Sequence, residues 1–248
     1  MPGPFRLRPG PAGDLWSYAT ATTPGAPVRG HIVLCHDLPR PKGSAADVAL
    51  TFPALADRLT RESGWRVVTA SLRGAGDSAG DFSALGWLDD LTFLTATEVP
   101  EDAPRLLVGF GFGGVLALHV GARDERVEGV ACLGTPADLS ALARDDGFLE
   151  HCRRTGLITT QGFPASVEAW TKELTVLHPL DDAAQLKGRP LLMVHGTDDP
   201  DVQLADARSL TDAATGPAEL HVVFGAGHWL RADPRVIAIL VGWLERRS

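Results

Sequence analysis

The segment Leu106-Leu107-Val108-Gly109-Phe110-Gly111-Phe112-Gly113-Gly114-Val115-Leu116-Ala117-Leu118 joins an apolar strand pattern to a helical pattern through a glycine-rich turn. In a G-x-S-x-G turn of this layout, a serine hydroxyl stands above the sheet and attacks a carbonyl carbon. Here the flanking glycines Gly109 and Gly113 are present, but the centre is Gly111 and carries no hydroxyl. No acyl-enzyme can form at that position. Such a turn strains its central residue, and glycine takes those angles cheaply. A G-x-G-x-G run also suits a phosphate-binding turn. Against that reading, the run lies mid-chain, and no acidic residue ends a following strand at the ribose-binding spacing. Acid–base side chains come from three other places: Cys35-His36-Asp37-Leu38-Pro39, His195-Gly196-Thr197-Asp198-Asp199-Pro200-Asp201 and Gly225-Ala226-Gly227-His228.

The elements that must position these residues alternate along the chain. Strands are expected at Phe5–Arg8, Leu15–Thr20, His31–Cys35, Trp65–Ser71, Arg105–Phe110, Val127–Gly134, Pro190–His195 and Leu220–Phe224, the first two at a sheet edge. Helical periodicity marks Ala45–Ser63, Leu85–Val99, Gly113–Ala122, Val202–Ala214 and Pro234–Arg246, the last opening on a proline in its first turn. This alternation predicts an α/β fold with a mostly parallel, doubly wound sheet. Residues 136–188 break the pattern with helical stretches and no strand. Ligands of open α/β sheets bind beyond the carboxyl ends of the strands. An insertion there, carrying Phe148, Leu149, Leu157, Ile158, Phe163, Trp170 and Leu174, is therefore expected to form a small helical cap on a single domain spanning 1–248.

Composition narrows the function classes. A chain of 248 residues suits one large α/β domain. The net charge is −8 with no basic run, which opposes nucleic acid as a partner. No apolar run is long enough to span a bilayer. The start, Met1-Pro2-Gly3-Pro4-Phe5, has no apolar signal core, so a cytoplasmic location and no membrane partner are expected. Cys35, Cys132 and Cys152 are odd in number and form no CxxC pair, so neither a disulfide framework nor a metal site is expected. Nothing calls for a cofactor.

Taken in order, the strand end at His36, the Ser71-Leu72-Arg73-Gly74-Ala75-Gly76-Asp77-Ser78 run, the turn at Gly111, the His195–Asp199 segment and His228 closely resemble the α/β-hydrolase superfamily over nearly the whole chain. The resemblance implies that Asp199, rather than Asp198 or Asp201, is the acid of a triad and His228 its base, with Gly111 at the nucleophile's place. It further implies oxyanion donors at the backbone N–H of Phe112 and in the loop after His36, at Leu38. His36 and His195 are expected to organise turns. Asp37 stands where the family usually has glycine. It is expected to be a solvated loop carboxylate; pointing inward, it would oppose an oxyanion or act as an acid or base beside Gly111. Cys35 and Ser78 are the other nucleophile candidates, and Cys35 is expected to be buried.

Two functions stay open from this reading. One is a hydrolase-like enzyme in which the histidine–aspartate pair activates water or moves protons on a small carbonyl or ester compound. The other is a non-catalytic pseudo-hydrolase that binds a ligand or partner.

Overall fold

Parallel strands covered on both faces must be apolar throughout. The chain meets this in the apolar runs inside β3 (His31–Cys35), β5 (Arg105–Phe110) and β7 (Leu191–Gly196), which are buried at every residue, with His31, Arg105 and His195 as buried polar residues at or near the strand ends. A computed structural model describes residues 5–21, 28–40 and 42–247. The start of the chain, from which the absence of a signal core was read, lies outside them apart from Phe5. The remaining strands are β1 (Phe5–Gly10), β2 (Gly13–Ala19), β4 (Arg66–Ser71), β6 (Val127–Leu133) and β8 (Ala218–Val223).

The eight described strands form one sheet in the order β1-β2-β4-β3-β5-β6-β7-β8. The β1–β2 and β2–β4 pairs are antiparallel and every later pair is parallel. The expected α/β fold is the observed one. Of the two strands expected at an edge, only β1 is there; β2 is covered by β1 on one side and β4 on the other.

The chain leaves β3 for β4 on one side and returns to β5 on the other, so the strand order reverses between β3 and β5. Ligands bind at such a reversal. The register there pairs Cys35 with Gly109. Two residues further on, Asp37 and Gly111 leave the sheet side by side. On the far side, β7 and β8 end level, Gly196 opposite Val223, and their loops carry Asp199 and His228.

Helices cover both faces: α1 (Asp47–Ser63), α2 (Ala84–Thr97), α3 (Phe112–Arg123), α8 (Leu204–Ala213) and α9 (Pro234–Glu245). Local chemistry sets several ends. Gly64 closes α1 with a left-handed backbone, and the Ser83 hydroxyl accepts from Gly86 N–H to open α2. Asp233 caps α9 ahead of Pro234.

Residues 136–188 hold α4 (Ser140–Ala143), α5 (Phe148–Thr155), α6 (Val167–Lys172), a 3-10 turn (Glu173–Val176) and α7 (Pro179–Ala184), with no strand among the described residues. Phe148, Leu157, Ile158, Trp170 and Leu174 are buried, and Trp170 Nε1 donates to the Phe82 carbonyl at 2.9 Å. The last part of the segment belongs to the flanking layer, since α7 packs on α3 and α8.

Trp87 of α2 ties this layer to the site. It is fully buried, donates from Nε1 to the Arg73 carbonyl at 2.8 Å, and meets the His36 and Phe82 rings edge-on at 4.7 Å. Trp87→Ala is expected to cost about 3–5 kcal/mol in urea unfolding, with Trp87→Phe recovering most of the loss.

Candidate functional site

Gly111 caps α3 with φ +49° and ψ −119°, a backbone that L side chains rarely adopt. The neighbouring glycines are packed against backbone: a Cβ at Gly109 would meet Gly113, and one at Gly113 would meet the His36 carbonyl. At Gly111 the obstacle is different. An ideal Cβ would lie 2.1–2.2 Å from the Asp37 carboxylate atoms. The Asp37 side chain occupies the space that a side chain at 111 would need.

The expectation that Asp37 is a solvated loop carboxylate is therefore corrected: its side chain is 11% exposed and points inward. The register of β3 and β5 delivers it there, beside the first N–H of α3. Asp37 Oδ1 accepts from Leu38 N–H at 2.7 Å and from Phe112 N–H at 2.8 Å. These are the two expected oxyanion donors, brought together and both engaged by Asp37. Asp37 Oδ2 lies 2.9 Å from His228 Nε2.

His228 bridges two carboxylates. Its Nδ1 is 2.8 Å from Asp199 Oδ2, and Asp199 is 1% exposed at its side chain. Asp199 does two jobs, because its Oδ1 accepts from the N–H groups of Asp201 and Val202 at 2.9 Å. That turn delays α8 to Leu204, two residues past the expected start. Asp198 bonds instead to the Thr197 hydroxyl, at 2.7 Å.

Burial alone would push the His228 imidazole down. Hydrogen bonds to Asp199 and Asp37, with the charges of both carboxylates, outweigh that and hold it up at about 10. Asp199 is in turn lowered: burial opposes this, but the His228 bond and charge and the two backbone N–H groups prevail. At neutral pH His228 is thus an imidazolium, held between the Asp199 and Asp37 side chains.

The other candidates are held by bonds or burial outside this triplet. His36 is fully buried, and burial lowers it to about 4 against the raising effect of the Asp37 carbonyl and charge. It is thus neutral, with Nδ1–H donating to the Asp37 carbonyl at 2.9 Å and Nε2 accepting from Leu72 N–H at 3.0 Å. His195 Nε2–H donates to the Val202 carbonyl at 3.0 Å. Burial raises all three cysteine thiols, Cys132 and Cys152 to about 12, so none offers a thiolate. The Ser78 hydroxyl donates to the Ser71 carbonyl and accepts from Trp16 N–H.

A cavity of about 750 Å³ opens above this floor. Its walls include Leu139 and Leu142, Phe148, His151 and Arg154 of α5, and Trp229. His151, Arg154 and Trp229 belong to no motif in the chain, and only the fold brings them to the site. Among the described residues, Asp199, Asp201 and His228 carry ligand atoms within 4.8 Å of one another. A cation there would have to displace the His228 proton and break the Asp199 bond.

A family model described as the alpha/beta hydrolase family matches residues 32–239. The chain belongs to this family. No curated protein matches its sequence. Among solved structures, an alpha-beta serine hydrolase homologue from Coxiella burnetii is similar at 21% identity and TM-score 0.61, covering 99% of this chain and 97% of that one. Mouse alpha/beta hydrolase domain-containing protein 10 matches at 16% identity and TM-score 0.72, covering 99% and 98%. The alpha/beta hydrolase GrgF from Penicillium sp. sh18 matches at 17% and 0.73, covering 100% and 99%. At these identities the likeness is one of fold.

Within this alpha/beta hydrolase, the steric exclusion between positions 37 and 111 is testable. Gly111→Ala is expected to destabilise by about 2–5 kcal/mol, through backbone strain and overlap with Asp37. Asp37→Gly in the same chain should return the overlap part, read as Tm of the double variant above that of Gly111→Ala.

The raised His228 pKa also predicts a pH dependence. A group whose pKa rises on folding stabilises fully below its unfolded value, here 6.5, and loses that contribution as pH climbs through its folded value, about 10. Tm should fall between those limits, and His228→Gln should flatten the fall.

Proposed function

We propose that this chain is a hydrolase-like enzyme that works without a nucleophilic hydroxyl at Gly111, with Asp37, His228 and Asp199 as its reacting unit and the part of residues 136–188 before α7 as its cap. The observation that carries this reading is the bridged histidine on the cavity floor. A buried imidazole between two carboxylates, open to a cavity on one side, is a proton-transfer device, and perturbed titrating groups concentrate at functional sites. Largely apolar walls around a few polar anchors suit a small, partly apolar compound such as an ester or related carbonyl substrate. Its partner is then a small molecule rather than nucleic acid, consistent with the net charge of −8. The place of action is taken as the cytoplasm; no described helix is long and apolar enough to cross a membrane.

The resting charge state sets the conditions for catalysis. His228 can accept a proton from water only after losing the one it holds, so water activation from the free enzyme should rise toward alkaline pH. Asp37→Asn removes one of the two charges holding that proton and should move the rise to lower pH. His228→Ala should lower turnover of any substrate found in an ester and lactone screen by about 10²–10⁴-fold, the range of general acid–base catalysis. Turnover indifferent to both variants would place the chemistry elsewhere.

A second reading is favoured by one observation. Asp37 already satisfies both backbone donors, so the floor offers a ligand no free oxyanion site. A non-catalytic binding protein would need none. It would show saturable binding of small apolar compounds, unchanged by His228→Ala, with no turnover across the screen.

A further inference from the structure

The two oxygens of Asp37 have different surroundings. Oδ1 is held by Leu38 N–H at 2.7 Å and Phe112 N–H at 2.8 Å; Oδ2 has His228 Nε2 at 2.9 Å, and Asp37 lines the cavity. The carboxylate also fills the volume that a side chain at Gly111 would take. We propose that Asp37 is itself the nucleophile, and that the substrate class is a small, partly apolar compound bearing a leaving group on saturated carbon. This rests on the enzyme reading above: it keeps the Asp37–His228–Asp199 unit and replaces the ester or carbonyl substrate with one that reacts at saturated carbon.

The donor pair decides between acyl and alkyl substrates. An acyl carbonyl under attack develops negative charge on its oxygen and needs free donors. Here both donors are engaged by Asp37. Displacement at saturated carbon develops no such oxyanion on the substrate, so the engaged donors are no obstacle. A carboxylate can form a covalent intermediate of this kind.

In the first step, Asp37 Oδ2 attacks the carbon, an O–C bond forms, and the bond from that carbon to its leaving group, a halide in the probes used below, breaks. The halide leaves with the bonding electron pair. Asp37 is now a neutral ester, so one of the two carboxylate charges that held the His228 proton is gone. His228 releases that proton to solvent and keeps Nδ1–H on Asp199.

In the second step, neutral His228 takes a proton from water as the water oxygen adds to Asp37 Cγ. The negative charge then falls on Oδ1, where the two N–H groups already point. Collapse breaks the bond from Cγ to the alkylated oxygen. The departing alkoxide takes the proton from His228, and the new Asp37 carboxyl returns its own proton to the ring. The sum is alkyl halide plus water giving alcohol, halide and one proton, with no redox change.

The test uses 1-bromobutane and benzyl bromide as probes. Wild type should release bromide and alcohol. A single turnover in heavy-oxygen water should place the label in the Asp37 peptide and none in the alcohol. Folded His228→Gln should accumulate one alkyl group on Asp37 in peptide mass spectrometry, and Asp37→Asn should release no bromide. The proposal is overturned if neither probe yields bromide, if the single-turnover label goes directly into the alcohol, or if alkylation maps to another residue. Failure here remains distinct from failure of the broader reading. Turnover of esters that needs Asp37 and His228, with no alkyl-Asp37, leaves the enzyme reading standing and removes the nucleophile. No turnover of either class removes both.

Discussion

The Asp37 carboxylate, seated on two backbone N–H groups and against His228, is the contact around which the site is arranged. It lies so close to Cα of Gly111 that the two positions exclude one another sterically. A side chain at 111 would require Asp37 to leave, and Asp37 in place requires glycine at 111. The unusual residues at these two strand ends are therefore a single structural feature. The left-handed backbone of Gly111 serves the same end, since it turns the chain so that Phe112 N–H points at the carboxylate.

Three ionised groups packed this tightly would be costly if they were only buried. Several features offset that cost. The imidazolium has a carboxylate on each ring nitrogen, Asp199 takes two further backbone N–H groups, and Asp37 takes two more. One of those donors is the first N–H of α3, where the helix dipole favours negative charge. Every polar atom of the triplet that is withdrawn from water thus has a named partner. The same network fixes the proton on His228 and makes its release depend on the charge of Asp37.

Residues outside the triplet hold it in register. His36 is neutral and fully buried; it ties the Asp37 carbonyl to the start of the loop after β4, and Trp87 packs against its ring. His195 holds the Val202 carbonyl and so the turn that carries Asp199. A turn-organising place for both histidines was expected from the chain, but the partner of His36, Leu72 N–H, comes from the loop after a different strand and appears only in the fold.

Much of the fold was legible in sequence. Buried parallel strands must be apolar throughout, so β3, β5 and β7 could be read as runs, and the expected α/β class follows from the alternation. Errors cluster at element ends, where one side chain or neighbour decides. Trp65 was expected in β4, but its N–H bonds to Ser63 Oγ and pairing begins at Arg66. The Asp199 carboxylate shifts α8, and β8 begins at Ala218 because Leu191 pairs with it despite its weak strand pattern. At the site, the resemblance to the α/β-hydrolase superfamily pointed to Asp199, His228, Phe112 and Leu38, because the motifs that carry it survive in a linear chain. The direction of Asp37 did not, because a loop side chain is aimed by the neighbouring strand. A signal was present all the same: glycine at 111 and a carboxylate at 37, each two residues beyond a strand position that the sheet pairs. Only the folded β3–β5 register brings that carboxylate into the space that a side chain at 111 would need, and register is a property of the folded sheet.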